Sequence, residues 1–101
     1  MYCKSMLFDL TGFQRDLMYV ISGLDHPSGQ SIKERFERDF GQQIKHGRLY
    51  PNLDHLVESG FVEKGQIDRR TNYYELTSLG RQKLEQRREW ENQVQTGMTT
   101  G

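Results

Sequence analysis

Residues 45–65 read KHGRLYPNLDHLVESGFVEKG, and the start of this stretch looks like a helix that ought to fail. Gly47 weakens a helix interior and Pro51 removes a backbone donor. Leu49, Leu53, Leu56 and Val57 nevertheless recur at helical spacing, and Gly60 fits the left-handed position after a helix end, with Phe61 and Val62 continuing in extended form. The polar side chains gather at the other end: Lys45, His46, Arg48, Asn52 and, further along, His55. Positive charge at a helix N-terminus opposes the macrodipole, so stability does not favour it there. The small or flat residues Gly47 and Pro51 allow close approach of a duplex, and Lys45, His46, Arg48 and Asn52 can donate to phosphates or purine edges. A competing reading starts the helix at Pro51 and leaves the basic residues in a loop.

Working outward, LTGFQRDLMYVISGLDHPSG predicts a first amphipathic helix, roughly Thr11 to Ser22. Thr11 is its N-cap and Gln14, three residues on, completes a capping box. Phe13, Leu17, Val20, Ile21 and Leu24 form the apolar repeat. Ser28 caps a second helix in which Ile32, Phe36 and Phe40 recur every four residues, with Gly41 as its stop. Its Lys33, Glu34, Arg35, Glu37 and Arg38 read as a solvated face. Beyond the opening stretch, FVEKGQIDRRTNYYELT predicts a β-hairpin with the tip DRRT, Tyr74 and Leu76 sharing one face. Gly65 is a candidate bulge, so the pairing register stays open. Thr77 or Ser78 then caps a last helix whose sparse apolar positions are Leu79, Leu84, Trp90 and Val94.

Three helices, a hairpin and a fourth helix make a mainly α fold with a small β-hairpin: a winged helix-turn-helix with a C-terminal dimerisation helix. The expected division is an N-terminal arm over 1–10, the winged domain over 11–77, the dimerisation helix over 78–96 and a disordered tail over 97–101. In such a fold the third helix enters the major groove. Arg69 and Arg70, with Thr71 and Asn72 behind them, put adjacent cations at the hairpin tip, where they suit the phosphates flanking a minor groove. The 14 basic and 14 acidic residues cancel, so any footprint on a polyanion is local. Met6, Leu7, Phe8 and Leu10 before the first helix, and Leu79, Leu84, Trp90 and Val94 along the last, exceed what one small core covers, and a homodimer interface is expected there.

Other chemistries find little support. His26, His46 and His55 have no partnering motif, so no catalytic residue is named and the chain is not read as an enzyme. No HxxxH, CxxC or carboxylate loop gathers metal ligands, and no cofactor is expected. Cys3 is the lone cysteine. It reads as an inert terminal thiol, with a redox role as the alternative. No run of 18 apolar residues and no signal peptide is present, so a cytoplasmic protein without a membrane partner is expected. The runner-up to DNA binding is a winged helix that meets an acidic protein partner through Arg69, Arg70 and its aromatic residues.

GRLYPNLDHLVESGFVEKG and NYYELTSLGRQKLE resemble the PadR-type winged-helix transcriptional regulators, particularly their compact archaeal relatives. The likeness spans Leu10 to about Trp90. It rests on Leu49, Tyr50, Pro51, Leu53, Leu56 and Gly60, then on Tyr73, Tyr74, Leu76, Thr77 and Gly80. It implies a homodimer that represses or activates from a pseudo-palindromic operator in double-stranded DNA, its C-terminal helix building the interface. The chain ends sooner after Thr77 than longer family members do, and with no large effector-responsive domain a small-molecule effector is not expected.

Overall fold

The computed structural model describes residues 7–97. The elements run α1 (Gly12–Ser22), α2 (Gly29–Phe40), α3 (His46–Glu58), β1 (Val62–Gln66), β2 (Asn72–Leu76) and α4 (Ser78–Thr96). This is the three-helix, wing and fourth-helix order expected of a winged helix. The expectations for Cys3, Met6 and the tail beyond Gly97 lie outside the described residues.

Local signals set most boundaries. The Thr11 hydroxyl accepts from the Gln14 N–H while the Gln14 side chain accepts from the Thr11 N–H, both at 3.1 Å, completing the capping box. Ser28 accepts from the Ser31 N–H, and Thr77, rather than Ser78, caps α4 through the Gly80 N–H. Gly41 and Gly60 take the left-handed conformation at φ 70° and 84°. α3 begins at His46, so Pro51 lies inside it and does not mark its start. The proline leaves the Gly47 carbonyl without its in-helix donor, and both residues face solvent.

The core joins Leu17, Met18 and Ile21 of α1 to Ile32 of α2, to Leu49, Leu53 and Leu56 of α3, and to Val62, Tyr74 and Leu76 of the hairpin. Two expectations change here. Leu7, Leu10 and Leu84 are buried within the chain itself, at 1%, 6% and 5% exposure. Arg15 holds the segment before α1 in place by donating to the carbonyls of Leu7 and Leu10 at 3.1 and 2.7 Å. These three leucines therefore need no second subunit to cover them. Nor is Gly65 a bulge. The antiparallel register runs without a break from Val62 opposite Leu76 to Gln66 opposite Asn72, and the missing side chain leaves space for the Tyr73 ring lying across it.

The hairpin and α4 are tied down through backbone. The Tyr74 N–H donates to the Pro27 carbonyl at 2.9 Å, beside a bridge between Ser28 and Tyr73, so the wing is anchored to the entry of α2. α4 docks by the Thr77 N–H on the Phe61 carbonyl at 3.0 Å. At Gly80 its first turn comes so close that a Cβ would overlap that same carbonyl. Farther along the contact ends: from Arg88 to Gly97 every residue is exposed.

Candidate nucleic-acid interface

The start of α3 and the tip of the wing flank one face of the molecule. Lys45 is the N-cap of α3 and makes no side-chain cap bond, and the first turn holds no acidic residue. The Arg48 N–H donates to the Lys45 carbonyl at 2.9 Å, which leaves the His46 and Gly47 N–H groups and the positive end of the helix dipole available to an anion. His46 and Gly47 are exposed, and the His46 ring lies 4.3 Å from that of Tyr50. Tyr50 is half-buried against the start of α2, where Gly29 makes room for it: a Cβ on Gly29 would overlap the phenol. His46, Tyr50, Arg70, Thr71 and Asn72 line a common groove of about 350 Å³, completed by Ser28, Gly29, Gln30 and Tyr74.

The wing tip is built by Asp68. Its carboxylate accepts from the N–H groups of Arg70 and Thr71 at 3.0 and 2.9 Å. Those bonds, the Arg70 N–H first, hold its pKa below the ordinary aspartate value. The Thr71 carbonyl accepts from the Ile67 N–H at 2.8 Å and closes the turn. Arg69 and Arg70 are both exposed, with Arg70 lining the groove.

Charge pairing separates this face from the rest of the surface. On α2 and α4, Lys33 meets Glu37, Arg35 meets Asp39, Arg81 meets Glu75 and Arg87 meets Glu91. Among the described residues Lys45, Arg48, Arg69 and Arg70 enter no ion pair. A chain of zero net charge thus still presents a cationic face.

The side chains of Arg48 and Asn52 behave differently from each other. The Arg48 guanidinium sits 4.0 Å from the centroid of the Phe13 ring, exposed and stacked. Asn52 is half-buried and committed to the protein: it accepts from the Gln14 side chain at 2.9 Å and donates to the Arg48 carbonyl at 2.7 Å. Phe13 and Gln14 carried no site signal in the sequence, since both satisfy the helical pattern of α1. No group of three or more histidine, cysteine or carboxylate side chains that could hold a metal occurs among the described residues.

Residues 17–86 match the model of the transcriptional regulator PadR-like family. The chain belongs to that family. Its PadR-like fold is shared by RosR of H. salinarum, at 44% identity and a TM-score of 0.79, over 84% of this chain and 76% of RosR. Escherichia coli MarR complexed with operator DNA aligns with a TM-score of 0.76 at 24% identity, over 90% of this chain and 62% of MarR. Bacillus subtilis PadR, also in complex with operator DNA, gives 0.64 at 24% identity, over 75% of this chain and 46% of PadR. At that identity the last two establish the winged-helix fold alone. No curated protein matches the PadR-like chain, and no described helix is long and apolar enough to cross a membrane.

Proposed function

We propose that this PadR-like regulator acts as a homodimer that binds a pseudo-palindromic operator in double-stranded DNA, with α3 in the major groove and the wing on the flanking backbone. One observation carries the reading: the cations at the start of α3 and at the wing tip share a face and have no carboxylate partners, whereas most of the charges on α2 and α4 are paired. Neutralising those cations is left to phosphates. Arg48 meets a base edge, and Lys45, Arg69, Arg70 and the Tyr50 hydroxyl set the register on the backbone. The outer end of α4, exposed from Arg88 to Gly97, supplies the interface between subunits.

A gel-shift titration on the promoter of the protein's own gene, at two salt concentrations, tests the reading. The expected result is a salt-sensitive shift that an unrelated duplex competes poorly. Equal affinity for unrelated DNA would remove sequence specificity, and no shift at either salt concentration would favour a protein partner.

A further inference from the structure

We propose that Phe13 and Gln14, consecutive residues in the first turn of α1, are positioning residues that set the base preference of α3. Phe13 presents Arg48 as a flat, pre-organised reader of guanine, and Gln14 withdraws Asn52 from the bases. The inference rests on the DNA-binding reading above and deepens it.

The hydrogen-bond chain fixes its own polarity. At one end the Thr11 N–H can only donate, so Gln14 must offer it Oε1. The Gln14 Nε2 then faces Asn52, which must answer with Oδ1, at 2.9 Å. The Asn52 Nδ2 consequently points at the Arg48 carbonyl, which can only accept, at 2.7 Å. Both amide orientations thus follow from two backbone groups, with no freedom to flip. Gln14 is 8% exposed, so leaving its donor unmade is costly and the chain resists opening. Asn52 keeps a second N–H and a second lone pair, but these two bonds fix the carboxamide's orientation, and rotating it onto an adenine edge would break them.

Arg48 is constrained by stacking instead. Phe13 is itself braced by Phe36, ring centroids 5.3 Å apart, so the face under the guanidinium is rigid. A stacked guanidinium keeps its in-plane donors free, and they match the O6 and N7 acceptors of guanine. Preference therefore resides in a guanine contact made by Arg48, and in no adenine contact made by Asn52.

Selection from a random-sequence duplex library with the full chain tests this, followed by titration of the enriched duplex. Wild type should enrich a motif in which one G·C pair per half-site depends on Arg48. Phe13→Leu should lower the preference at that pair about tenfold, while Phe13→Tyr, which keeps an aromatic face, should restore it. Arg48→Lys, at an exposed site that does not threaten the fold, should lose the same pair although its charge is kept. Asn52→Ala should change the preferred motif at no adenine position. A wild-type motif unaltered by Phe13→Leu or by Arg48→Lys, or an adenine lost with Asn52→Ala, would overturn the proposal. A wild type that enriches no motif would instead sink the DNA-binding reading itself.

Discussion

The Thr77 hydroxyl donates to the Gly60 carbonyl at 2.7 Å and accepts from the Gly80 N–H at 3.0 Å, so one side chain joins the end of α3 to the start of α4. It sits where the chain leaves the wing. The same junction brings Gly80 against the Phe61 carbonyl. α3, the wing and α4 thus meet over a few residues, and their relative placement is set there.

Removing that junction should be felt in stability. Thr77→Ala loses a cap and a second hydrogen bond, together about 2 kcal/mol, whereas Thr77→Ser keeps the hydroxyl and should lose much less. Gly80→Ala drives a methyl group into backbone that no rotamer change relieves, which places it near the upper end of overpacking, about 3 kcal/mol. Urea unfolding midpoints rank the three variants. Equal midpoints for Thr77→Ala and wild type would show that the junction contributes nothing.

The turn between α2 and α3 carries a pH dependence. The Glu37 carboxylate accepts from the Ile44 N–H at 2.7 Å and pairs with Lys33 at 3.1 Å. The Ile44 bond, then the Lys33 bond, pull its pKa below the ordinary glutamate value of 4.5. A depressed folded pKa means that this stabilisation is fully present above pH 4.5 and is lost as pH falls through the lower folded value. Glu37→Gln keeps an acceptor for Ile44 but cannot be protonated. Its stability should vary less with pH below 4.5 than that of wild type, as thermal melts across that range would reveal.

Salt dependence isolates the wing. In the proposed dimer, Arg69→Ala with Arg70→Ala would remove four phosphate contacts and should reduce the slope of log affinity against log salt by about 3 to 4. Preference among sequences should stay as it was, because the proposed role of these side chains is to meet backbone and not base edges. Titrations of one enriched and one unrelated duplex at several salt concentrations measure both quantities. An unchanged slope would place the wing away from DNA.

Much of this architecture is legible in sequence because caps and stops act locally: the partners of Thr11, Ser28 and Thr77 lie three residues away, and Gly41 and Gly60 each mark a helix end. What escapes is contact between distant segments with no periodicity of their own. Leu7 and Leu10 precede any helix, and their burial in the core, with Arg15 donating to their carbonyls, has no periodic signal in sequence. Ile44, buried in the short turn before α3, is invisible for the same reason. The bond from Gln14 to Asn52 spans 38 positions; without it, Asn52 reads from sequence as a free base-reading amide. Gly65 looked like a bulge because sequence cannot reveal that the Tyr73 ring crosses it.

The proposed homodimer would use the outer part of α4 and Phe8, since Leu7, Leu10 and Leu84 are covered within one chain. Phe8, Leu79, Trp90 and Val94 remain 77%, 42%, 38% and 54% exposed. Trp90 and Val94 lie four residues apart and so share a face, with the Arg87 guanidinium 4.7 Å from the Trp90 ring. An isolated helix end of this length is marginal in water; in the proposed dimer, a second copy related by twofold symmetry would cover the stretch after Arg88 and offer the same apolar face in return. Such packing would also hold two copies of α3 about 34 Å apart, or a multiple of it, as a palindromic operator demands. Trp90→Ala should weaken the dimer by about 2 kcal/mol or more, and Phe8→Ala by less if Phe8 lies at the rim. Sedimentation equilibrium at low micromolar concentration separates the outcomes. A wild-type monomer would defeat the dimer model, and a Trp90→Ala dimer of undiminished affinity would move the centre of the interface away from Trp90.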